Sequence, residues 1–99
     1  MRPICLAQLD KVRPVLVLTR EVVRPHLARV TVAPITTTIR GLSSEVPVGP
    51  ANGLDHDSVV SCDNIATVPA EAVGRRIGCL LADQEPALAE AIRLAFDLG

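Results

Sequence analysis

The sequence predicts a mainly β fold with α at its end: a small barrel or strongly curved sheet closed by one C-terminal helix. Three observations lead there. Aliphatic or alternating runs of four to eight residues recur along the first four-fifths of the chain. Clusters of Pro, Gly, Asn and Asp separate them. Helical periodicity appears only near the C-terminus, where Leu88, Ile92, Ala95 and Phe96 trace one face.

Taken in order, Ile4 to Leu9 reads as a first strand, and Asp10-Lys11-Val12-Arg13-Pro14 as a short turn, since Asp opens turns and Pro fixes the backbone. Val15 to Thr19 is a nearly continuous aliphatic run, the pattern of a strand buried on both faces. Arg20 to Leu27 is a polar connection, broken by Pro25, with room for a helical turn at Glu21-Val22-Val23. Ala28 to Ile35 is the third strand, and Thr37 to Ser44 a loop carrying Arg40-Gly41. Glu45 to Val48 alternates, and Pro47 marks it as an edge strand. Gly49 to Asp57 is dense in turn residues around Asn52-Gly53. Ser58 to Asn64 is a strand that Ile65 to Val68 continues or follows. Pro69 to Val73 is a turn or helical stub, and Arg75 to Leu81 the last strand. Asp83 is placed as the N-cap of the final helix, with Gln84, Glu85 and Pro86 in its first turn. A second apolar face on that helix, Ala87, Ala91, Leu94 and Leu98, implies burial on two sides, one of them against a partner subunit.

Ninety-nine residues, 48% hydrophobic and 21% charged, are expected to form a single globular domain spanning 1–99. No apolar run approaches the roughly 20 residues of a membrane span, and Arg2 is followed by no long apolar core, so neither a membrane nor a secretory signal is expected and the cytoplasm is the default compartment. Cys5, Cys62 and Cys79 are odd in number and widely spaced, as buried free thiols are; with His26 and His56 they make no metal-ligand spacing, and no metal or cofactor is expected.

The net charge of −1 conceals an asymmetry: residues 1–43 carry seven cations against two acids, a balance of +5, and residues 44–99 three against nine, a balance of −6. A basic half suits a polyanion; the alternative is that the halves pair with each other in the fold. Aromatic content is 1%, so a single-stranded RNA reader built from this chain relies on Arg planes and hydrogen bonds rather than ring stacking.

Two segments carry the chemistry. Arg13-Pro14 leads into Val15-Leu16-Val17-Leu18-Thr19, and Ala33-Pro34-Ile35-Thr36-Thr37-Thr38 closes the third strand. If these strands are neighbours, the Arg13 guanidinium and the Thr36 hydroxyl face one phosphate. Taken with Asp57 to Val68, the Gly78-Cys79-Leu80 strand and the terminal helix, the order resembles the MazF/PemK family of toxin endoribonucleases over nearly the whole chain. The resemblance implies a small SH3-like barrel of the MazF/CcdB type with a C-terminal helix. It implies a homodimer and a cognate MazE-like antitoxin whose acidic disordered tail fills the cleft. It also implies metal-independent, sequence-specific cutting of single-stranded RNA to 2′,3′-cyclic phosphate and 5′-OH ends, inhibiting translation and growth, with Arg13 and Thr36 as the catalytic pair. Lys11, Thr37, Thr38, Arg40, His56, Asp63 and Asn64 are the candidate RNA contacts. Asn64 stands where members often have Gln. Leu9 to Pro14 leaves almost none of the longer loop that covers RNA in relatives. Two alternatives stay open at this point: a non-catalytic, gyrase-inhibitor-like toxin and a degenerate member that only binds antitoxin.

Overall fold

A computed structural model describes residues 1–99. Seven strands and one helix follow in the order β1 (Pro3–Gln8), β2 (Val12–Val17), β3 (Arg29–Thr36), β4 (Glu45–Val48), β5 (Ser58–Ser61), β6 (Ala66–Pro69), β7 (Val73–Cys79) and α1 (Glu85–Ala95). All pairings are antiparallel. The strand order is β4-β5-β3-β2-β1-β7, with β6 added to β3. The mainly β fold with one late helix is therefore as the sequence predicts, and β4 does lie at an edge.

β3 is shared along its length. Its first half, Arg29 to Val32, pairs with β6, and its last two residues, Ile35 and Thr36, pair with β5. Alternation on β1, β2 and β3 sends side chains to two cores. Ile4, Leu16 and Ala33 join Val46, Val60, Leu80, Leu88 and Ala91 under the helix. Cys5, Ala7, Val15, Val17, Val30 and Val32 form the second core on the other face. Burial on both sides is why the Val15 run reads as continuous rather than alternating.

Several boundaries move. β2 begins at Val12, so Arg13 lies inside a strand and only Leu9, Asp10 and Lys11 form the hairpin loop, between the paired Gln8 and Val12. The Arg20–Leu27 connection does hold a turn at Glu21-Val22-Val23, where the Val23 and Arg24 N–H groups donate to Arg20 O at 3.1 and 3.0 Å, and it runs on into a 3-10 turn at Arg24–His26, where Pro25 suits a first-turn position. β5 stops at Ser61, and Cys62–Asn64 is a single 3-10 turn that buries Cys62. β7 starts and ends two residues earlier than the Arg75 to Leu81 expectation. Asp83 does not cap α1; it sits in a 3-10 turn, Ala82–Gln84, in front of it. Leu88 of one apolar face and Ala91 of the other are buried, while Phe96, on the same face as Leu88, is 55% exposed. No helix is long and apolar enough to cross a membrane.

Candidate functional site

A cleft of about 590 Å3 opens where β2 and β3 part company; its lining includes Asp10, Arg13, Thr36, Thr38, Arg40, Glu45, Asp63 and Asn64. The reason is local. Between β2 and β3 the ladder runs Val17↔Val32, Leu16↔Ala33, Val15↔Pro34 and ends there. Pro14 and Pro34 carry no N–H to extend it. The end of β3 is drawn instead to β5, through Ile35↔Val60 and Thr36↔Val59. Arg13 and Thr36 each stand two residues past the last pair, on the two diverging strands, and both line the cleft.

The Arg13 guanidinium is not idle. Its Nε donates to Asp10 Oδ1 at 2.9 Å and its Nη2 to Oδ2 at 3.0 Å, a two-pronged pair across the hairpin loop. Asp10 Oδ1 also accepts the Lys11 N–H at 3.0 Å. The hydrogen bond from Arg13 holds the Asp10 carboxyl down at about 2, and the same bond pushes Arg13 above its ordinary range. Arg13 is a permanent cation, aimed by its partner, with Nη1 left without a protein acceptor. Thr36 Oγ1 accepts the Thr38 N–H at 3.1 Å, so the hydroxyl proton is free to donate.

The opposite wall is a second hydrogen-bonded unit. Ser44 Oγ donates to Asp63 Oδ2, the Cys62 N–H to Ser44 O at 3.1 Å, and Asn64 Nδ2 to Ser61 Oγ at 2.8 Å. Cys62 beneath it is fully buried; burial first, and the neighbouring Asp63 second, push its thiol up to about 11. At neutral pH it is a packed thiol and not a nucleophile.

Of the nine residues singled out in the sequence, the cleft gathers Arg13, Thr36, Thr38, Arg40, Asp63 and Asn64. Thr37 does not line it. Lys11 stays at the hairpin tip outside it, and His56 sits in the β4–β5 connection, where its carbonyl oxygen accepts from Ser58 Oγ at 2.9 Å. Asp10, Ser61 and Glu45 line the cleft without having been singled out. Asp10 had a signal, a carboxylate three residues before the key Arg, but it is readable only once β2 is known to begin at Val12.

A short two-stranded mouth holding Arg13 and Thr36, on a small curved sheet with one late helix, defines a small β-domain with a polar, charged cleft. The family profile described as PemK-like, MazF-like toxin of type II toxin-antitoxin system matches residues 5–96. The protein named Endoribonuclease MazF3 of Mycobacterium tuberculosis (strain CDC 1551 / Oshkosh) is 72% identical over 98 residues, covering 99% of this chain and 95% of that one. Among solved structures, Mycobacterium tuberculosis toxin MazF-mt6 superposes with a TM-score of 0.97 at 71% identity, covering 99% of each chain. An endoribonuclease in complex with its cognate antitoxin from Mycobacterial species shares the fold, with a TM-score of 0.86 at 24% identity over 98% of this chain and 93% of that one. The chain belongs to the PemK-like, MazF-like family of type II toxins.

Proposed function

We propose that this protein is the toxin of a toxin–antitoxin pair and cuts single-stranded RNA by transesterification, with Arg13 and Thr36 at the reacting phosphate. The observation that carries the reading is that these two residues, each two places past the last β2–β3 pair, line one cleft. It is supported by 72% identity to a protein named an endoribonuclease.

In this reading the 2′-oxygen attacks the adjacent phosphorus and the bond to the 5′-oxygen breaks. A 2′,3′-cyclic phosphate and a 5′-OH end result. The attacking oxygen loses a proton and the leaving oxygen gains one. Charge accumulates on the non-bridging oxygens between these events, and fixed donors aimed there lower the barrier. Arg13 supplies a planar, always-charged donor, and Thr36 a neutral one. With its pKa pushed upward by Asp10, Arg13 acts through charge and hydrogen bonding rather than by giving up a proton. The cleft contains no histidine. Thr38, Arg40, Asp63 and Asn64 line the path of the strand, and Lys11, Thr37 and His56 are left for flanking nucleotides. The working unit is a homodimer forming one domain per chain, and the natural inhibitor is a MazE-like antitoxin whose acidic tail the basic half of the chain, residues 1–43, attracts.

Incubation with a long mixed-sequence RNA in EDTA tests this. Fragments ending in cyclic phosphate and 5′-OH, cut at a recurring short sequence, are expected. Intact RNA across diverse sequences, or full activity in Arg13→Ala, sinks it.

A further inference from the structure

Arg40 and Leu42 flank Gly41, whose φ of +73° puts the backbone in the left-handed region. That bend turns the two flanking amides toward one point, an anion seat of backbone N–H groups. Glu45 fills it. The Arg40 N–H donates to Oε1 at 3.2 Å and Oε2 at 3.4 Å, and the Leu42 N–H to Oε1 at 3.1 Å. The Glu45 N–H in turn donates to Leu42 O at 3.1 Å, closing the turn on itself. Glu45 is anchored at the start of β4, paired with Ser61 on β5. A turn that would otherwise be a loose eight-residue loop is thereby fastened to the cleft wall.

The side chain presented there is unpaired. Arg2, Arg13, Arg24 and Arg93 each bond a carboxylate; Arg20, Arg29, Arg40, Arg75 and Arg76 do not, and of these five only Arg40 is at the cleft. It lines the same cleft as Arg13. Glu45 holds the two backbone amides and makes no ion pair with the Arg40 guanidinium. A free guanidinium on a turn tethered beside Arg13 and Thr36 suits a second phosphodiester group, which it recognises through its planar fork.

We propose that Arg40 is a second phosphate subsite of the cleft, for a phosphate flanking the cut, and that Glu45 is the positioning residue that holds it in place. This rests on the RNA-cleaving reading above. Substrate grip is thus divided. Arg13, already engaged by Asp10, serves the reacting phosphate, and Arg40 serves the neighbouring strand.

The test uses fully 2′-fluoro RNA, which cannot form a cyclic phosphate, and measures binding to the intact protein across a salt series. Arg40→Ala is expected to weaken binding about tenfold and to lower the slope of log Kd against log salt by about 0.7, one phosphate contact. Glu45→Ala should weaken binding about as much, and the double variant no more than either single one. Glu45→Gln, whose amide oxygen still accepts, should recover most of the affinity. Thermal midpoints measured on every variant separate grip from folding. An unchanged salt slope in Arg40→Ala overturns the proposal. So does a Glu45→Ala effect that adds in full to that of Arg40→Ala, or one that Glu45→Gln does not relieve while its midpoint stays at the wild-type value. Wild-type cleavage of ordinary RNA, run in parallel, reports on the parent reading: intact RNA with the expected loss of slope removes the nuclease and leaves the subsite standing.

Discussion

At Arg13 the charge and the geometry of the side chain are separable, and that separation decides what each substitution does. Arg13→Lys keeps the charge but loses the fork that spans two oxygens, so cleavage should fall by about 10²-fold; Arg13→Ala should lose about 10³-fold. Thr36→Ala removes one neutral donor and should cost about tenfold. Single-turnover rates at saturating RNA check all three, and equal losses in Lys and Ala would mean that charge contributes nothing. Asp10 gives an independent reading of the same fork. Its folded pKa of about 2 lies below the ordinary 3.8, so the pair is complete above 3.8 and is lost as the pH falls through about 2. An NMR titration of the Asp10 carboxyl should show a midpoint near 2 in the wild type and near 3.8 in Arg13→Ala. A wild-type midpoint near 3.8 would show that the pair does not persist in solution.

α1 shows what an apolar period specifies and what it leaves open. Leu88 and Ala91 face the core formed by Ile4, Leu16, Val60 and Leu80, and Leu88 is 2% exposed. Leu88→Ala should cost about 3 kcal/mol, read as a lower urea midpoint at constant m-value. A loss below about 1 kcal/mol would mean that the helix is loosely docked. The stripe was visible in the sequence because burial repeats every three to four residues. Glu85 and Pro86 in the first turn were legible too, but the cap was not, because Gln84 is held partly by a distant residue: its Oε1 takes the Leu81 N–H at 2.8 Å and the Asn52 amide at 2.6 Å. The same division runs through the sheet. Strand positions were legible from alternation and turn residues, including the aliphatic β2. The partition of β3 between β5 and β6 was not, since it depends on which edges are free after the hairpins form. At the site, Arg13 and Thr36 were legible from their strand ends, whereas Glu45 was not, since its role consists of backbone amides in a turn that Gly41 shapes.

Across the whole molecule, the β1–β7, β3–β5 and β3–β6 ladders, and not charge pairing, join the basic half to the acidic one. Of the four ion pairs only Arg2–Glu85 joins the basic half to the acidic one; the other three are three residues apart in sequence. The ends of the sheet are not joined by a ladder, for β4 and β7 terminate the strand order without pairing. What joins them is Asn52, in the connection after β4 and 2% exposed. Its Oδ1 accepts the Gly49 N–H at 3.0 Å, and its Nδ2 donates to Cys79 O at the end of β7 at 3.0 Å and to Gln84 Oε1 before α1. Gly78 lets the backbones meet, since a Cβ there would run into the Asn52 carbonyl oxygen. One side chain thus clasps the β4 connection, the last strand and the helix entry. Asn52→Ala removes these bonds and strands buried partners, at a cost of about 2–4 kcal/mol; Gly78→Ala forces the same contact apart and should cost about 3 kcal/mol. If the clasp is a single unit, the double variant should lose clearly less than the sum of the two singles. Urea midpoints of the four proteins measure this directly, and full additivity would show that the two residues stabilise the closure independently.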